Sequence, residues 1–220
     1  MESQFDVTLK FRSTLTASMY ASSQTMHSKR PDSALQKMIM TEIFKKYDHA
    51  PPHLFKATAT YFITGATYEK RHTLRSDAAK EKTVEYMFKS FAHFGWKIED
   101  WVLLNNHYHL MARAPEDANT LANVINNFHK FSGNWIKKHV PLNPVPEKIW
   151  HNYWDTCITY ENSYFARINY IWFNPVKHKL VLQPEEWHFG SYFTRVNSGD
   201  AVDTFVKKYP FDDLKIKDDF

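Results

Sequence analysis

The chain has 220 residues, of which 43% are hydrophobic and 24% charged, with only 5 Gly and 10 Pro. This is the make-up of a globular protein of one substantial domain plus extra material, and it excludes a linker or a disordered chain. A single cysteine, Cys157, excludes an intramolecular disulfide framework and a Cys-based zinc finger. No apolar run has membrane-spanning length and the N-terminus lacks a signal-peptide pattern, so a soluble, cytoplasmic protein is expected. The net charge of +4 is carried by residues 51–199, because 1–50 (+2) and 200–220 (−2) cancel. A polyanion partner is therefore expected to meet the middle of the chain.

Phe5, Val7, Leu9 and Phe11 alternate with polar residues, a weak strand pattern, and Leu35, Met38, Ile39 and Ile43 mark a helix after Ser33. Pro51-Pro52 places a boundary, dividing the chain into a 1–50 extension, a 51–199 domain and a 200–220 tail. Thr58 to Thr64 is dense in β-branched and aromatic residues and reads as a strand ending at Gly65. Residues 77–94 read as a helix capped by Asp77 and closed by Gly95. Trp96–Leu104 and His107–Arg113 form a hairpin about Asn105-Asn106. Residues 118–139 form a long helix, residues 149–159 a strand, and Asn162 caps a helix expected to stop at Asn174, before Pro175. The order predicts an α+β protein. Its ferredoxin-like βαββαβ antiparallel sheet would carry helices on one face, followed by an additional C-terminal helix.

His107 and His109 are two apart on a strand, so both imidazoles point to one face, a bidentate platform for a divalent cation. Taken alone, two half-exposed sheet histidines in a chain with twelve are the commoner outcome. Tyr170 and Asn174 are four apart and share a helix face. Together the pairs have a chemical logic. A cation held by two imidazoles and an amide oxygen polarises a phosphate, and a phenolate attacks it, storing the phosphodiester energy in a phosphotyrosine. No P-loop pattern argues for nucleotide hydrolysis instead. Tyr108 should point to the opposite side of the sheet, and Tyr164 lies on a different helix face from Tyr170.

Asn105-Asn106-His107-Tyr108-His109-Leu110-Met111, followed about sixty residues later by Tyr170-Ile171-Trp172-Phe173-Asn174-Pro175-Val176-Lys177, resembles the single-tyrosine HUH transposases. Within them it is most similar to the REP-associated tyrosine transposases, over roughly residues 52–193. The resemblance implies metal ligands at His107, His109 and Asn174, a nucleophile at Tyr170, and Mg²⁺ or Mn²⁺ as cofactor. It also implies a metal-dependent strand-transfer activity on single-stranded DNA with hairpin-forming palindromes, through a covalent 5′-phosphotyrosine. Insertion-sequence relatives act as dimers, so a homodimer is an open expectation. The residue two before His107, Pro in many relatives, is Asn105 here.

Candidate DNA contacts are Arg71 and Arg75 after the first strand, Lys137 and Lys138 ending the long helix, and Lys177 and Lys179 after the tyrosine. Trp187 to Tyr192 reads as an aromatic plug of the core, with base stacking as the alternative. Two other function classes stay open. One is a non-catalytic single-stranded nucleic-acid-binding module, since RNA-recognition domains share this plan. The other is a metallohydrolase that uses the histidines to activate water.

Overall fold

The computed structural model describes residues 56–199. The strand expected at 5–11, the helix expected after Ser33, the Pro51-Pro52 boundary, the 1–50 extension and the 200–220 tail lie outside the described residues. The elements run β1 (Thr60–Thr67), α1 (Asp77–His93), β2 (Lys97–Leu103), β3 (His107–Arg113), α2 (Leu121–His139), β4 (Trp150–Cys157), α3 (Glu161–Lys177) and α4 (Ser191–Asn197). Short 3₁₀ turns occupy Tyr68–Lys70, Ala118–Thr120 and Pro184–Glu186. The sheet order is β2-β3-β1-β4, with every neighbouring pair antiparallel. This is the expected ferredoxin-like βαββαβ plan.

The strand period of two divides the sheet. Tyr108, Leu110 and Ala112 of β3 join Tyr61 and Ile63 of β1 in the larger core, against Met87 and Phe91 of α1 and Val124, Ile125 and Phe128 of α2. Each large side chain fully buried there contributes about 1.5–3 kcal/mol. On the other face Phe62, Val102 and Met111 pack against Ile168, Ile171 and Trp172 of α3. Helices thus cover both faces. The one-face arrangement holds only for α1 and α2, and α3 takes the opposite side because its apolar residues meet the second set of alternating strand residues.

Several boundaries differ from expectation, each for a physical reason. Gly65 does not end β1; it pairs with Tyr108 on one side and Tyr153 on the other. A Cβ there would lie 2.5 Å from the Tyr108 ring, so glycine is present for close approach rather than for a turn. The cap of α1 is Ser76, whose side chain accepts from Ala79 N, and Asp77 is the first helical residue. At the other end Gly95, at φ +75°, donates to Ala92 O while Trp96 N donates to Phe91 O, a Schellman closure. Helix α3 begins at Glu161 rather than being capped by Asn162, and it runs through Pro175 to Lys177. Proline this near the end deletes one backbone donor. The terminus is then closed by Lys179 N to Val176 O and Leu180 N to Pro175 O, with Lys179 itself at φ +56°.

The segment after α3 returns to the sheet. Trp187 donates its indole N–H to Leu103 O, Gly190 bridges to Val102, and the Tyr192 ring meets Trp172 edge-on, so this stretch is the aromatic plug. Asp100 is fully buried. It accepts from Trp172 Nε1 (2.9 Å), Ser191 Oγ (2.8 Å) and both arms of Arg195 (2.9 and 2.6 Å). A buried carboxylate is tolerable only with such complete partnering. Among the described residues no helix is long and apolar enough to cross a membrane.

Candidate active site

Strand β3 places His107 and His109 on the α3 side of the sheet, both essentially buried, with ring centroids 5.1 Å apart. Tyr108 points the opposite way, where its hydroxyl meets His129 Nε2 at 3.0 Å. Helix α3 then lays Tyr170 and Asn174 over the histidines. The Tyr170 ring stands edge-on to His109 at 5.2 Å, and Asn174 Oδ1 lies 3.2 Å from His107 Nε2. The four expected site residues, drawn from two elements more than sixty residues apart, are therefore together. Tyr164 is elsewhere, donating to Glu99 at 3.2 Å.

The protonation of the pair follows from its supports. Asn106 Nδ2 donates to Lys70 O at 3.1 Å, which fixes the amide so that Asn106 Oδ1 faces His107 Nδ1 at 2.8 Å. His107 Nδ1 must then carry the proton, leaving the lone pair on Nε2, toward Asn174. Burial, reinforced by the nearby His178 imidazole, pushes His107 down to about 3. Burial and the His107 ring hold His109 well below the ordinary imidazole range. Both rings are neutral at pH 7, the state in which imidazole binds a metal. His109 Nδ1 is held at 2.8 Å from Thr64 Oγ1, an orienting contact of the same kind.

These residues fit a divalent cation. With Nε2 as an acceptor, it faces another acceptor, Asn174 Oδ1, at 3.2 Å. A cation between them satisfies both; without one, the amide must turn to offer its N–H₂. Among the described residues no group of three His, Cys, Asp or Glu side chains forms a metal cluster. Two imidazoles and an amide oxygen make the donor set here.

Tyr170 is only 2% exposed, and its hydroxyl accepts from Lys177 Nζ at 3.3 Å, with the ammonium 4.8 Å from the ring centre. Burial draws the Lys177 ammonium below its ordinary range. Lys177, expected as a contact for the DNA backbone, is thus seated against the tyrosine. Lys179 is exposed just beyond the helix. Arg75 is exposed, whereas Arg71 forms an ion pair with Glu69 at 2.5 Å. On the far helix, Lys137 donates to Glu147 O and Lys138 is exposed.

Sequence reasoning passes over two supports, Asn106 and Thr64, and gives a third, His178, only as a backbone contact for DNA. His178 comes within 4.9 Å of the His107 ring. Its spacing, four beyond Asn174, was a usable signal that the expected helix stop at Asn174 concealed. Asn106 read only as a turn residue, and Thr64 only as a strand residue. Their contacts depend on loop closure and strand register, which no local pattern reports.

A ferredoxin-like sheet with two same-face histidines, covered by a helix that carries a tyrosine and an amide, defines the class. The chain belongs to the family of IS200-like transposases, whose model matches residues 57–172. Its relatives are REP-associated tyrosine transposases. One so named from Escherichia coli (strain K12) is 28% identical over 148 residues, covering 63% of this chain and 84% of the relative. A Haemophilus influenzae relative is 25% identical over 177 residues, covering 75% and 96%. The fold matches the structure of a REP-associated tyrosine transposase bound to a REP hairpin, with TM-score 0.58 and 22% identity, covering 78% of this chain and 94% of that one.

Proposed function

We propose that this protein is a DNA transposase that nicks and rejoins single-stranded, hairpin-forming palindromic DNA of the REP type through a covalent 5′-phosphotyrosine at Tyr170. The observation that carries the reading is the seating of Tyr170 against His109, with Asn174 Oδ1 3.2 Å from His107 Nε2. The relatives' activity, and the hairpin bound by the structural neighbour, supply the substrate class.

In this reading His107, His109 and Asn174 hold a Mg²⁺ or Mn²⁺ ion, which supplies Lewis-acid polarisation of the scissile phosphate. The Tyr170 oxygen attacks phosphorus, the bond from phosphorus to the 3′-oxygen breaks, and the phenolic proton is lost to solvent as the leaving 3′-oxygen gains one. The products are a 5′-phosphotyrosine and a free 3′-hydroxyl. The reverse attack by a 3′-hydroxyl rejoins the strand without an external energy source. Lys177 is exposed as a residue, so its ammonium can pass from the Tyr170 hydroxyl to the incoming phosphate and uncover the nucleophile.

The test mixes the protein with labelled palindromic single strands from its own genome, in Mn²⁺ or EDTA, and reads covalent adduct on a denaturing gel. An adduct that needs Mn²⁺ and disappears in Tyr170→Phe is expected. Cleavage without adduct would assign the site to water activation, and binding with neither would assign a non-catalytic module.

A further inference from the structure

The edge strand carries an aromatic array that the cleavage site does not use. The Trp154 side chain is 54% exposed and Tyr68 38%, large apolar surfaces left outside both cores. His151, also exposed, lies between them. The His151 and Trp154 rings are 5.9 Å apart with planes 7° from parallel, and Tyr68 and His151 are 6.3 Å apart at 14°. Solvent-facing rings held parallel are a stacking surface for bases.

The register fixes where this array stands. Thr64 pairs with His109 on one side and with Trp154 on the other. Residues directly opposite in antiparallel strands share a face. Trp154 therefore stands on the same face as the histidines, two strands from His109, a separation of about 10 Å. That is the span of a few nucleotides. The other end of the array is tied to the site as well. The Tyr68–Lys70 turn, with Glu69 and Lys70 at φ +54° and +56°, is gripped at Lys70 O by Asn106, the residue that orients His107. Backbone held in the left-handed region at two successive non-glycine residues costs energy, and such turns cluster where a ligand is engaged.

We propose that Tyr68, His151 and Trp154 form a stacking platform for unpaired bases of the DNA strand flanking the scissile phosphate. The inference rests on reading the histidine–tyrosine face as the cleavage site. The occupant is a nucleic-acid strand because the rings lie parallel, Trp154 stands on the same face as that site, and all three sit in the 51–199 stretch that carries the net positive charge.

The test is a binding cycle on labelled palindromic hairpins with single-stranded tails on both sides, either intact or with the tail bases removed to leave abasic sugars. Wild type, Trp154→Ala and Tyr68→Ala are compared, with adduct yield and oligomeric state measured in parallel. Both replaced side chains are exposed, so the variants should fold. Each is expected to lose roughly 5- to 100-fold in affinity for the intact tail and to match wild type on the abasic tail. Equal affinities for the intact tail, with the wild type still forming adduct, would sink the platform and leave the transposase reading standing. Unchanged DNA binding with loss of a dimer would reassign the rings to self-association. A wild type that neither binds the tailed hairpin nor forms adduct would overturn both.

Discussion

The two faces of the sheet are built from the same strands and do different work. From β3, Tyr108, Leu110 and Ala112 enter a core closed by α1 and α2, while His107 and His109 enter the face covered by α3. On the first side the polar groups tie packing elements together, as in the contacts of the Tyr108 hydroxyl with His129, of Ser90 with Asn127 and of Trp150 with Ser132. On the second, Asp100, His107, His109, Asn169 and Asn174 are all buried. Buried polar groups at this density cost stability unless each is oriented and satisfied. One side of the sheet thus supplies rigidity and the other holds reactive groups in place, and the strand period of two keeps them apart.

The sharpest break of that comparison is Tyr170→Phe, already described, which should remove the adduct while leaving the unfolding midpoint near wild type. A metal titration comes next. Saturating Mn²⁺, at 100 times its dissociation constant, should stabilise the wild type by about 2.7 kcal/mol. That gain should vanish in His109→Ala, and thermal unfolding with and without the metal reads it. An equal gain in both would place the ion elsewhere.

Gly65→Ala attacks the packing face. The new Cβ, 2.5 Å from the Tyr108 ring, should cost about 1–3 kcal/mol in a denaturant titration. Mn²⁺ affinity of the folded protein should be retained.

Acid acts on both faces, through His107 on one and His129 on the other. Burial pushes His129 down to about 3, against an ordinary imidazole near 6.5. The unfolded chain therefore binds a proton between those values that the folded one refuses. The stability His129 provides as a neutral ring is complete above pH 6.5 and lost as pH falls toward 3. His129→Gln should flatten the stability profile in that window by up to about 1.4 kcal/mol per pH unit and leave adduct formation at pH 7 intact. An unchanged slope would mean that His129 is protonated in the folded state.

Much of this was legible in the sequence. The order of elements followed from two periodicities, the HUH pair from alternation, and the tyrosine–amide pair from helical spacing. Pro175 misled because proline was read as a stop, whereas within the last turn it removes a single donor and the chain closes with αL geometry at Lys179. Gly65 misled because glycine was read as punctuation, when a ring from the neighbouring strand occupied its missing side chain. Lys177, read as a hand for DNA, is folded back onto the tyrosine because Pro175 does not end the helix. The miss at Gly65 turns on a tertiary neighbour, and those at Pro175 and Lys177 on how the helix end closes.

The Asp100–Arg195 pair bears on how the gene could be trimmed. The family model's match ends at residue 172, yet Arg195 and Ser191 lie well beyond it and both reach into the sheet to neutralise and hold one carboxylate. A shortened protein ending at residue 172 would strand that charge in a sealed interior, at a penalty on the order of 3–5 kcal/mol. The working module thus runs past the matched stretch to Arg195, and that margin is drawn by electrostatics.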